Sequence, residues 1–113
     1  VLESNKDIPF DIKRIFYIYD VEAGAVRGLH ANRKSSFFFI CVTGSCRIEI
    51  DNGHEKQVCI LDKPSLGLHC PKGYWKRMFN FSQDATLLVL SDETYDEDEY
   101  IRDYEVFKES IKK

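Results

Sequence analysis

The feature that most constrains the fold is a succession of short apolar runs separated by turn signals, with no helical pattern between them. "RIFYIYDV", "SFFFICV", "CRIEID", "QVCIL", "SLGLHC", "YWKRMFNF" and "ATLLVLS" follow one another along the chain. Each is rich in aromatic and β-branched residues, which favour a pleated, half-buried surface. Strands recurring about every 8–12 residues point to an all-β sandwich or barrel. A parallel α/β sheet would need a helix after each strand, and the sequence offers none there.

The chain of 113 residues is long enough for one domain with one core, expected over 1–113. Hydrophobic residues at 43% mark it as globular rather than disordered. A net charge of −3 argues against a nucleic-acid binder, which would carry a basic stripe, but leaves room for a local basic pocket. No apolar run approaches the roughly 18–20 residues that cross a bilayer, and the opening residues carry no signal-peptide pattern. A cytoplasmic protein without a membrane partner is therefore expected. "VLES" reads as the end of a strand that begins ahead of Val1.

The strand pattern also sets an expected register. If Cys41 faces Cys46 across "VTGS" in a hairpin, then Phe39 opposes Ile48 and Phe37 opposes Ile50. By the period of two, all of these share one core face. Asn52-Gly53 marks a second hairpin. Phe38, Ile40 and Val42 then lie on the outer face, where an apolar strip needs a cover. A second subunit is the expected cover, which makes the chain a homodimer; a preceding N-terminal segment or the C-terminal helix are the alternatives.

After Asp92 the period changes. Tyr100, Ile101, Tyr104, Phe107 and Ile111 recur at helical spacing, so a helix is expected over 97–112. Acidic residues crowd its start and lysines its end, as the helix dipole favours. Asp96 to Glu99 reads as the solvated start of that helix rather than as a metal site. Cys41, Cys46, Cys59 and Cys70 form no C-x-x-C pair, and no histidine is spaced to complete a zinc site. Reduced thiols packed in the core are expected.

Two spacings carry chemical information. Gly24, five residues, His30, then Asn32, Phe37 and Gly44 resemble the first signature of cupin-type jelly rolls. Pro71-Lys72-Gly73, two residues, Lys76, three residues and Asn80 resemble the second. The frame implies a cupin-type jelly-roll barrel. Metal-binding cupins place three histidines and a glutamate at these positions, whereas this chain has His30, Asn32, Phe37 and Lys76. A carboxamide, a phenyl ring and an ammonium are poor partners for zinc or iron, so no metal is expected.

A closer resemblance rests on "IPFDIKRIFYIYDV", "VRGLHANRK", "GSCRIEIDNG", "LDKPSLGLHCPKGYWKRMFNFSQDATLLVLS" and "YDEDEYIRDYEVF". These stretches are similar to the sugar-nucleotide 3,4-ketoisomerases, metal-free dimeric cupins of bacterial surface-glycan synthesis. The resemblance implies roughly one further strand ahead of "VLES". It also implies a dTDP-linked 4-keto-6-deoxyhexose as substrate, migration of its carbonyl from C4 to C3 without a cofactor, and a product passed to an aminotransferase that makes 3-amino-3,6-dideoxy sugars. One departure stands out. The family's Arg-Gly-x-His-Ala-His reads here Arg27-Gly28-Leu29-His30-Ala31-Asn32, so the second histidine is a group that cannot titrate. Trp75-Lys76 is the second departure, where many relatives have Trp-His or Trp-Arg.

Keto migration is proton traffic, and an imidazole suits it because one ring can accept and donate near neutral pH. His30 is the expected proton shuttle, Asn32 a hydrogen-bond partner of a sugar oxygen, and Lys76 an electrostatic partner or acid. Arg27 and Arg14 are candidates for diphosphate or sugar contacts, Tyr17 and Tyr19 for the mouth, and Trp75 for stacking on the base or packing. His54 and His69 are assigned structural places. Two alternatives stay open: a cupin that binds a nucleotide sugar without turnover, and an epimerase or isomerase of another sugar nucleotide.

Overall fold

The computed structural model describes residues 1–112, so Lys113, the last residue of the expected domain, lies outside the described residues. Nine strands form: β1 (Arg14–Tyr19), β2 (Arg27–Asn32), β3 (Phe37–Thr43), β4 (Cys46–Asp51), β5 (Lys56–Leu61), β6 (Gly67–Cys70), β7 (Trp75–Phe79), β8 (Thr86–Ser91) and β9 (Tyr100–Ile101). They build a four-stranded sheet in the order β1-β8-β3-β6 and a five-stranded sheet in the order β5-β4-β7-β2-β9. Every pairing in both sheets is antiparallel. The inner faces meet in one core, with Phe37, Phe39, Cys41, Leu87 and Val89 from one sheet against Cys46, Ile48, Ile50, Leu61 and Met78 from the other. This is the expected all-β jelly roll with a short C-terminal helix.

The expected β3–β4 hairpin does not form. β3 is flanked by β6 and β8, and β4 by β5 and β7, so the Thr43-Gly44-Ser45 link crosses between sheets instead of turning within one. Gly44 makes the crossing possible. It sits at φ 68°, and a Cβ there would lie 2.8 Å from the Ala85 Cα. The face assignment survives the change of partner. Phe37, Phe39, Cys41, Cys46, Ile48 and Ile50 are all buried in the common core, opposed across the sandwich rather than along a ladder. The second hairpin does form, with Asp51 opposite Lys56. All four cysteines are free thiols, and burial pushes Cys46 up to about 12 and Cys70 up to about 11.

The expected 97–112 helix is shorter than its periodicity. Glu97–Glu99 is a 3-10 turn, Tyr100–Ile101 pairs with β2, and only Tyr104–Ser110 is helical (α1). Asp103 starts that helix, its side chain accepting from the Glu105 and Val106 amides at 2.8 and 3.2 Å. The apolar residues upstream kept the helical spacing because Ile101 and Phe107 pack into one satellite cluster with Ala31 and Trp75. A Tyr104 hydroxyl that donates to Asp51 over 2.6 Å ties α1 to the five-stranded sheet.

No strand forms over "VLES"; Ser4 makes only an isolated bridge with Ile8. The segment instead folds over the outer face of the four-stranded sheet, where Ile8 and Phe10 pack with Leu90 and Phe38. The expected apolar strip is therefore partly covered from within the chain. Val42 stays exposed, as do Ile15, Tyr17 and Tyr19 on β1.

Candidate active site

The site begins with a defect in β2. In a regular strand residues 27 and 30 would point to opposite faces. Here Arg27 opposes Met78, Gly28 opposes Arg77 and His30 opposes Lys76, so one extra residue, Leu29, is bulged out. The bulge turns Arg27 and His30 to the same side. Gly28 is what permits it: φ is 86°, and an added Cβ would sit 2.9 Å from Met78 Sδ and 3.1 Å from the Lys76 carbonyl oxygen. The Arg-Gly-x-His spacing thus encodes two inward side chains from one strand.

Those side chains open into a cavity of about 270 Å³ between the sheets. Arg27, His30, Lys76, Met78 and Tyr100 line it from the five-stranded sheet, and Phe16, Tyr17, Ile18, Phe37, Phe39 and Val89 from the other. Its polar groups converge at one wall, where His30 and Lys76 are paired across β2 and β7. The His30 ring also lies 4.7 Å from that of Tyr100.

Lys76 is only 2% exposed. Burial strips water from the ammonium and pulls its pKa down to about 8, against the opposing pull of Cys70 and Glu99. Its Nζ sits 4.8 Å from the centre of the Phe37 ring and donates to Asn32 Oδ1 over 2.9 Å. Asn32 does not line the cavity; it lies behind Lys76, 1% exposed. Its amide oxygen accepts from a protein cation.

His30 is pulled down to about 4, first by burial and then by the positive charge of Lys76, with Arg102 adding to it. Its Nδ1 lies 3.0 Å from the Gly28 carbonyl oxygen. A carbonyl only accepts, so Nδ1 carries the proton and Nε2 the lone pair. At neutral pH the ring is an uncharged base beside an ammonium.

Behind Asn32 stands Glu99, 4% exposed. Its Oε1 accepts from the Lys34 and Ser35 amides at 2.9 and 2.8 Å, and its Oε2 from Ser35 Oγ. Burial alone would raise its pKa; these donors and the nearby Asn32 amide outweigh burial and hold it below the usual carboxylate range. Glu99 is therefore not part of a solvated helix start. Sequence reasoning missed it and Tyr100, because both were assigned to a helix and no local motif marks either.

The remaining candidates separate. Tyr17 sits at the mouth, and Tyr19 stacks on it at 5.7 Å from outside the cavity. Arg14 does not line the cavity; its guanidinium lies among Phe16, Phe37 and Tyr95 at 5.3, 5.8 and 5.5 Å. Its Nε and Nη2 are buried without a hydrogen-bond partner among the described residues. Trp75 faces away from the cavity, because the alternation that turns Lys76 inward turns its neighbour outward, against Tyr104 and Phe107 at 5.2 and 5.8 Å. Among the described residues no three His, Cys, Asp or Glu side chains converge as a ligand set.

Comparison with known proteins agrees with this architecture. Residues 1–112 match the family described as "FdtA: WxcM-like, C-terminal". A TDP-4-oxo-6-deoxy-alpha-D-glucose-3,4-oxoisomerase from Aneurinibacillus thermoaerophilus is 43% identical over 112 residues, covering 99% of this chain and 81% of that protein. The structure of a TDP-fucose-3,4-ketoisomerase from Campylobacter jejuni superposes with a TM-score of 0.93 at 50% identity, over 96% of this chain and 82% of that one. A 3,4-ketoisomerase from Thermoanaerobacterium thermosaccharolyticum, carrying a histidine-to-asparagine substitution and holding TDP-4-keto-6-deoxyglucose, superposes at 0.95 with 38% identity, over 99% and 81%. With a match along nearly its whole described length, the chain belongs to the FdtA-type family of sugar 3,4-ketoisomerases.

Proposed function

We propose that this chain moves the carbonyl of a dTDP-linked 4-keto-6-deoxyhexose from C4 to C3, with His30 and Lys76 handling the protons. The observation that carries the reading is the pairing of a neutral imidazole and a buried ammonium on one wall of a single cavity. His30 takes the C3 proton while Lys76 gives a proton to O4, which forms a neutral enediol. The His30 imidazolium then returns its proton to C4, and the Lys76 amine takes the proton from O3. Both side chains end in their starting state, so no cofactor is consumed. A donor fixed where the oxygen gains charge typically contributes about 10²–10³ in rate.

Asn32 holds Lys76 in place rather than acting as a base. Arg27 is positioned to meet the substrate at the open side, and Arg14, whose Nε and Nη2 lack a hydrogen-bond partner among the described residues, is a further candidate for an anionic group. The Thermoanaerobacterium relative holds TDP-4-keto-6-deoxyglucose, which supports a sugar nucleotide of this kind as the ligand. A homodimer is supported by the apolar outer face of the four-stranded sheet, where Ile15, Tyr17 and Tyr19 are 61%, 61% and 58% exposed. Free thiols fit a reducing cytoplasm. A 3-keto product is what an aminotransferase of surface-glycan synthesis would take. Incubation with TDP-4-keto-6-deoxyglucose tests the reading: a 3-keto product is expected, and binding without turnover would leave a nucleotide-sugar-binding protein instead.

A further inference from the structure

We propose that Glu99 is a positioning residue for Lys76, acting through Asn32: its fixed carboxylate orients the Asn32 amide and balances the ammonium buried in the cavity wall. The inference rests on the proton roles given above, and assigns a part to a residue outside the cavity lining.

A lysine at 2% exposure with no carboxylate in contact would ordinarily lose its proton, since isolated buried charge is costly. Lys76 has one hydrogen-bonded partner among the side chains, the neutral Asn32 amide. The titratable and charged groups around it are His30 and Arg27 on β2, Tyr100 on β9, Cys70 on β6, Glu99 in the 3-10 turn, and Arg14, which shares the Phe37 ring with it. Of these only Glu99 is negative at neutral pH. The Ile50 side chain opposite Lys76 on β4 adds no charge.

Geometry makes Glu99 more than a distant charge. Two backbone amides and the Ser35 hydroxyl fix both of its oxygens, so the carboxylate has no freedom to turn away. An asparagine amide can present its oxygen or its nitrogen to a neighbour. With an anion on one side and an ammonium on the other, only one orientation is favourable: oxygen to Lys76, nitrogen toward Glu99. Asn32 Nδ2 is buried without a standard hydrogen bond, yet its amide lies near enough to help keep Glu99 ionised. The row Glu99, Asn32, Lys76 is thus a carboxylate and an ammonium separated by one oriented dipole. A turned amide would aim NH₂ at the ammonium and push Lys76 out of line.

The test is Glu99→Gln, read in two ways on the whole chain. With ¹³C-lysine labelling, NMR follows the ionisation of Lys76, its signal assigned by loss in Lys76→Arg. Removing the negative charge should lower its midpoint below the wild-type value of about 8. In the kinetic series, kcat should fall roughly 10- to 100-fold with KM little changed, and the basic limb of the pH profile should move to lower pH. Asn32→Asp in the Glu99→Gln background puts the carboxylate back beside Lys76, and should return the midpoint and the limb toward the wild type. A residue that served only to hold the fold would not be rescued by moving its charge. An unchanged Lys76 midpoint in folded Glu99→Gln would overturn the proposal, and so would failure of both variants to fold. Wild-type turnover in the same series keeps the readings apart: its absence contradicts the proposed function, whereas the NMR midpoint tests Glu99 with no substrate present.

Discussion

Lys76 Nζ donates to Asn32 Oδ1 over 2.9 Å, and both side chains are sealed from solvent. Where the resemblance implies a second histidine, this chain has the acceptor of a buried lysine. Restoring the histidine in isolation should therefore not restore a base. Asn32→His sets an imidazole against an ammonium in low dielectric, and its turnover is expected to fall about tenfold or more. A rise of 10² or more would show that Asn32 marks a lost general base. Asn32→Ala removes a charge-assisted hydrogen bond, and denaturant titration should show a loss of about 1.5–3 kcal/mol.

Lys76 itself should cost stability while serving the reaction. Its folded-state pKa, about 8, lies below the ordinary lysine value of 10.5. At this group the unfolded chain therefore binds more protons between those limits, so the contribution of Lys76 to folding stability rises with pH across that window. The full rise is about 3 kcal/mol. The buried thiols Cys41, Cys46 and Cys70, all pushed up by burial, work in the opposite direction from about pH 9, and the Tyr104 phenol, pushed up to about 12 by its hydrogen bond to Asp51, does so from about pH 10, so the Lys76 contribution is read as the difference between wild type and Lys76→Met. Lys76→Met should remove that contribution, so that stability in urea titrations falls more steeply with pH than in the wild type, and should lower kcat about 10²–10³-fold. A Lys76→Met protein that kept the slope would assign it to another group.

The imidazole of His30 should respond to ligand charge. Burial and the cations Lys76 and Arg102 pull it down to about 4. A bound diphosphate brings negative charge into the same field, which favours the imidazolium. Proton NMR of the His30 ring should show its midpoint rising when TDP is added. A midpoint that stays put at saturating TDP would place the diphosphate away from this wall.

The Trp75 side chain faces Tyr104 and Phe107 beneath the C-terminal helix, so its loss should read as stability alone. Trp75→Ala is expected to cost about 3–5 kcal/mol in chemical denaturation. KM for the nucleotide sugar should stay within about twofold. A large rise in KM with little change in stability would return Trp75 to the substrate.

The fold was legible where alternation was strong. Phe37, Phe39, Cys41, Cys46, Ile48 and Ile50 are core residues as their period of two requires. Their strand partners were not legible, because period reports which way a side chain faces and not which strand lies beside it. The short link at Gly44 fits either a hairpin or a crossing between sheets, and the packing of Ser82 and Ala85 against it decides. The spacing that singles out His30 and Lys76 brings them together on one cavity wall, and the bulge at Leu29 turns Arg27 to the same side. Glu99 and Tyr100 were hidden because a two-residue strand inside a helical spacing leaves no periodic trace. Trp75 stays open between stacking and packing in the sequence, because spacing cannot tell a ligand-facing aromatic from one that seats a helix; the structure packs it against Tyr104 and Phe107.

The central claim is that His30 carries the proton between C3 and C4, and it is tested by incubating wild type and His30→Asn with TDP-4-keto-6-deoxyglucose in D₂O while the C3 proton is followed by NMR. The account expects the wild type to lose that signal and form a 3-keto species, and His30→Asn to leave the substrate unchanged. Exchange at an undiminished rate in His30→Asn would contradict it.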